Sequence, residues 1–160
     1  MYLTVTIFTL KCNERLIIYP LFIILQPYAD NYLYVDEESS MKIAIASEEN
    51  RDLESRAAHH FGRCPFYVFI TLDENDKIVK TESIENPFFD GHEPGVVPEF
   101  IADQKADVII AGGMGPRAID WFNQLKVTAL TASAPTVKDI LAKFINNEIA
   151  GAESCHDSHH

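Results

Sequence analysis

Cysteine is scarce in this 160-residue sequence: Cys12, Cys64 and Cys155 stand far apart, with no C-x-x-C pair. That spacing excludes a disulfide framework. It suits a reducing compartment, so a cytoplasmic protein is expected, with at least one thiol free for chemistry or metal binding. Basic residues are also few. Thirteen Lys and Arg face 24 Asp and Glu, a formal net charge of -11. Such a chain lacks the broad cationic surface that nucleic acid or an anionic membrane requires, so neither partner is expected. A small pocket of positive potential remains compatible with this balance. Long apolar runs are missing too. The longest, residues 16–25 (LIIYPLFIIL), contains Pro20 and runs into Gln26-Pro27-Tyr28. It has roughly half the length of a spanning helix, and no small-x-small cleavage site follows, so neither a span nor a signal peptide is expected.

What is present is ordinary globular composition, 47% hydrophobic and 23% charged, which rules out wholesale disorder. The length suits one domain with an extension. The chain changes character at Met41. Residues 1–40 contain no Gly or His, follow no period of 2 or 3.6, and end in Asp36-Glu37-Glu38-Ser39-Ser40. They read either as an accessory extension or as an extra strand pair packed on the domain. From Met41 the elements alternate. Strands are expected at 42–46, 66–72, 78–83, 107–111 and 127–130, and helices at 97–104, 116–125 and 136–146. The turn Asp73-Glu74-Asn75-Asp76 makes a hairpin, and Pro116 suits the first turn of its helix. Strand–helix–strand succession at the end implies parallel pairing. The expected fold is therefore α/β, a mixed sheet of about five strands flanked by helices.

Three groups of residues could carry chemistry. In His59-His60-Phe61-Gly62-Arg63-Cys64-Pro65, a histidine and a cysteine four apart can converge on one metal if the loop folds back, and Arg63 would favour the thiolate and an anionic ligand. A packed His60 with a buried, inert Cys64 is the alternative. In Ala111-Gly112-Gly113-Met114-Gly115-Pro116-Arg117, an apolar strand enters a glycine loop and then a helix N-terminus, a suitable place for an anion. The loop matches neither G-x-G-x-x-G nor G-x-x-x-x-G-K-[ST], so dinucleotide or nucleoside triphosphate binding is not expected from it. A tight turn packed closely is the alternative. The tail 152–160 is Cys/His-rich, and Cys155, His156, His159 and His160 are suitable metal ligands or, alternatively, a plain terminus. His92 stands alone in a loop and reads as solvated.

These motifs, in this order, resemble the dinitrogenase iron–molybdenum cofactor-binding family across residues 41–151. The carriers are Lys42-Ile43-Ala44-Ile45-Ala46-Ser47, then His60-Phe61-Gly62-Arg63-Cys64 before Phe66, then Ile84-Glu85-Asn86-Pro87, and the run from Ala106 through Gly112-Gly113-Met114-Gly115-Pro116-Arg117 to Ala118. Residues 1–40 match nothing in it. Ala132-Ser133-Ala134-Pro135 and His92-Glu93-Pro94-Gly95 are poorer in glycine than the family's usual loops.

The resemblance implies a ribonuclease H-like fold without nuclease activity, and the first strand indeed offers no carboxylate for a catalytic Mg²⁺. It implies a non-enzymatic carrier or accessory protein in metallocluster assembly. The cargo would be a metal–sulfur cluster of iron–sulfur or iron–molybdenum type, exchanged with donor and acceptor proteins. His60 is the cluster ligand that the resemblance implies; the chemistry of the residues themselves adds Cys64 as a second ligand and Arg63, Arg117 and the amides of Gly112, Gly113 and Gly115 as donors. Two other readings stand against it. One is a small thiol-dependent enzyme with Cys64 as nucleophile and His60 as base. The other is a partner-binding regulatory module that holds metal on its tail. Under the carrier reading, the glycine loop and the His60 loop should line one cleft.

Overall fold

The computed structural model describes residues 40–91, 93–149 and 151. The expectations for the extension 1–40 (Ser40 apart), for His92, and for Cys155, His156, His159 and His160 fall outside these residues. The described chain forms five strands and three helices: β1 (Met41–Ser47), β2 (Phe66–Leu72), β3 (Ile78–Glu85), α1 (Val96–Asp103), β4 (Val108–Ala111), α2 (Pro116–Leu125), β5 (Thr128–Thr131) and α3 (Val137–Ile145). The strands make one mixed sheet in the order β3-β2-β1-β4-β5. The β1–β2 and β2–β3 pairs are antiparallel, and the β1–β4 and β4–β5 pairs are parallel. This is the mixed α/β sheet expected from the sequence.

Alternation along β1 explains the layering. Ala44 and Ala46 face one side, where they leave room for Phe61, Tyr67, Phe69 and Phe122 under α1 and α2. Ile43 and Ile45 face the other side and pack with Val68, Ile70 and Ile110 against Val137, Ile140 and Leu141 of α3. Covered on both faces, β1 and β4 are almost wholly apolar, as central parallel strands are. Asp107 sets their register. Its carboxylate accepts from the Lys42 amide at 2.7 Å, and its own amide donates to the Lys42 carbonyl at 2.7 Å.

Helix ends follow local chemistry. Pro116 occupies the first position of α2, where its missing N–H is not needed. Thr136 caps α3 in a reciprocal box with Asp139. Among the described residues, no helix is long and apolar enough to cross a membrane.

Topology positions the site. The segments after β1 and β4 diverge, one toward β2 and the other toward α2. Strand β3 runs parallel to β1, because both are antiparallel to β2, and Glu85 lies beside Phe66, itself beside Ser47. The segments following β1, β3 and β4 therefore all leave from the same edge of the sheet.

Candidate functional site

Backbone hydrogen bonds sew the segments after β1 and β4 together. After β1 the chain returns past the strand end: the Ala58 amide donates to the Ala46 carbonyl at 2.9 Å, and the Ala58 carbonyl accepts from the Gly112 amide at 3.1 Å. Two residues on, His60 pairs with Gly113 in a parallel bridge, and the Phe61 amide donates to the Gly113 carbonyl at 3.0 Å. The segment 58–61 is thus wedged between the ends of β1 and β4. Gly112 makes the wedge possible. A Cβ there would lie 2.7 Å from both the Cα and the carbonyl oxygen of His59.

The third segment is held by one side chain. Asn86 is 2% exposed. Its amide group donates to the Cys64 carbonyl at 2.8 Å, its backbone N–H donates to the Pro65 carbonyl at 2.8 Å, and its side-chain oxygen accepts from the Phe88 N–H at 3.1 Å. The loop after β3 is thereby folded over the 60–65 segment.

The three segments and α2 enclose an open cleft of about 1100 Å³. One wall is polar: His60, Arg63, Gly113, Gly115 and Arg117. The rest of the lining is largely apolar, with Phe89, Pro94, Gly95, Pro98 and Trp121. His60, Arg63 and Arg117 are exposed, so the polar wall is open to an incoming ligand. Among the described residues, Asp90 is the one carboxylate on the lining, against two guanidinium groups, so this lining is locally cationic in an acidic chain. The helix α2 adds its N-terminus to this wall, with no side chain capping it. His60, Arg63, Gly113, Gly115 and Arg117, singled out in the sequence, are thus brought to one cleft.

Two expectations need correction. Cys64 does not line the cleft and is 0% exposed. Its Sγ–H donates to the Phe61 carbonyl at 3.3 Å, an oxygen that also accepts from the Tyr67 hydroxyl at 2.8 Å. Burial pushes its pKa up to about 11, which disfavours the thiolate. The paired His60–Cys64 ligand set therefore does not form here, because Cys64, two residues before β2, is drawn into the core with Tyr67. Gly112 is likewise absent from the lining, and its amide already donates to Ala58, so it serves close packing rather than ligand binding.

Sequence reasoning missed the apolar wall. Trp121 lies four residues after Arg117, hence on the same face of α2. It packs on Gly95, where an added Cβ would sit 2.8 Å from the indole. Gly95 has φ +97°, a conformation that favours glycine. Phe89, 50% exposed, carried no periodic signal. Among the described residues, no three His, Cys, Asp or Glu side chains converge to hold a metal ion.

Comparison with known proteins agrees with this architecture. The profile of the family described as dinitrogenase iron-molybdenum cofactor matches residues 41–147. Uncharacterized protein MJ0580 of Methanocaldococcus jannaschii is 30% identical over 111 residues, covering 68% of this chain and 89% of that protein. The crystal structure of PH0822 superposes with a TM-score of 0.61 at 30% identity, covering 73% of this chain and 98% of that one. The apo form of the orange protein from Desulfovibrio gigas gives a TM-score of 0.61 at 19% identity, covering 71% of this chain and 94% of that one, a likeness of fold.

Proposed function

The chain belongs to the dinitrogenase iron–molybdenum cofactor family, and from that membership we propose that it carries a metal–sulfur cluster as cargo between a donor and an acceptor protein during cofactor assembly. The observation that carries the reading is the convergence of His60, Arg63, Arg117 and Gly113 on one open cleft in a chain of net charge -11. A sulfide cluster is an anion built on soft metals. It needs a neutral imidazole or thiolate for a metal and N–H or guanidinium donors for its sulfurs. His60 supplies the imidazole, Arg63 and Arg117 the cationic donors, and Phe89 and Trp121 an apolar contact surface. A single protein ligand with diffuse charge gives binding that a better-endowed acceptor can outcompete, which suits transfer.

The thiol-enzyme reading loses its nucleophile, since Cys64 is buried and its thiolate disfavoured. Anaerobic reconstitution with iron and sulfide tests the carrier reading. The protein should take up colour in the visible spectrum, and His60→Ala should lose most of it. A colourless parent protein, or a His60→Ala variant as coloured as the parent, would overturn the reading.

A further inference from the structure

We propose that His59 is a second metal ligand, and that His59 and His60 together form a two-imidazole site for one transition-metal ion beside the cleft that His60 lines. The two rings have centroids 4.7 Å apart and are tilted by 37°. With metal–nitrogen bonds of about 2.0–2.1 Å, two imidazoles bound cis to one ion hold their centroids roughly 4.5–5.2 Å apart. The observed separation lies within that interval.

Both histidines are exposed, and among the described residues neither imidazole has a hydrogen-bond or ion-pair partner. Nothing has to be broken before a metal binds. Their backbones are fixed independently of any metal: His59 abuts Gly112 too closely for a Cβ, and His60 is bridged to Gly113. The two backbones are therefore prepositioned, and only the side-chain rotamers remain to be ordered when a metal binds. Aromatic contact alone would also hold two rings at this distance. However, two solvent-facing imidazoles gain little from packing, whereas neutral imidazole is a strong ligand for zinc, copper, iron and nickel.

The inference deepens the carrier reading, since the metal end of the cargo would be gripped by two imidazoles rather than one. It rests on that reading for its setting, while the binding of a bare ion tests it separately. The probe is Zn²⁺, titrated into the full-length chain carrying Cys155→Ser, His156→Ala, His159→Ala and His160→Ala to silence the tail. Calorimetry and the side-chain ¹⁵N resonances of histidine are the readouts. One equivalent should shift the His59 and His60 imidazole nitrogens together, and His59→Ala and His60→Ala should each weaken this event about tenfold or more through loss of the chelate. If His60 shifts without His59, if His59→Ala binds zinc as its parent does, or if no zinc binds, the two-imidazole site is wrong. A parent protein that stays colourless in the iron–sulfide experiment would instead strike at the carrier reading, leaving the zinc result unaffected.

Discussion

At the scale of single residues, the cleft separates groups that face a ligand from groups that hold the wall. Cys64 belongs to the second kind, and its titration has a consequence for stability. Its ordinary value of 9.0 is pushed up to about 11 by burial. A group whose folded value lies above its unfolded value contributes fully below the unfolded value and loses that contribution as pH rises through the folded one. Stability should therefore fall from pH 9 toward pH 11, by about 2–3 kcal/mol from this thiol. Burial also raises the Tyr67 hydroxyl, so a residual alkaline loss is expected without the thiol. Denaturant midpoints measured against pH should show a shallower decline in Cys64→Ala than in the parent protein. Equal slopes would contradict the buried, protonated thiol. At Gly112 the expected effect is steric. Ala there must push the His59 backbone aside, so Gly112→Ala should destabilise by about 1–3 kcal/mol. Thermal unfolding checks this, and an unchanged midpoint would mean that the wedge is not close-packed.

At the scale of elements, two regular pieces coincide with their sequence expectation, and the reasons are local. Strand β2 (Phe66–Leu72) is an apolar run ended by an Asp-Glu-Asn-Asp turn, and α2 (Pro116–Leu125) opens on a proline. Elsewhere the ends move by a residue or two. Thus α3 spans Val137–Ile145, with Thr136 and Asn146 as its caps rather than its ends. The irregular segments were less legible, because their conformation is set by partners distant in sequence. Asn86 shows this. It stands in the resembling motif, yet nothing local reveals that its side chain holds the Cys64 carbonyl 22 residues away. Asn86→Ala leaves that buried carbonyl without its donor, and a cost of about 1–3 kcal/mol is expected. Looser packing of the loop after β3 should accompany it, read as faster amide exchange at Phe88 and Phe89. Unchanged exchange would show that the loop is held by other contacts.

At the scale of the whole molecule, the topology places three connecting segments on one sheet edge and so turns three short motifs into one cleft. That convergence was legible from the strand–loop–helix order, since a segment leaving β1 and one leaving a parallel β4 share an edge. The apolar lining was not, because Gly95 meets Trp121 only where the start of α1 packs on α2, Phe89 comes from the loop after β3, and none carries a mark in the sequence beyond ordinary apolarity. The charge distribution has a testable sign. In a chain of net charge -11, the cleft's cationic wall rests on Arg63 and Arg117. Both are exposed, so Arg117→Ala should weaken cluster uptake only a few-fold, about 1 kcal/mol or less, and less at high salt. Uptake measured at two ionic strengths checks this, and a salt-insensitive loss of all uptake would assign Arg117 a ligand's role instead.

The sequence contains one tryptophan, and it lies on the cleft wall. Trp121 fluorescence, followed during anaerobic reconstitution with iron and sulfide, therefore reports on the cleft directly. In the parent protein the emission should be quenched in step with the growth of visible absorbance, and His60→Ala should lose both. If colour and quenching persist undiminished in His60→Ala, the cluster is not held at this cleft through His60, and the central claim is contradicted.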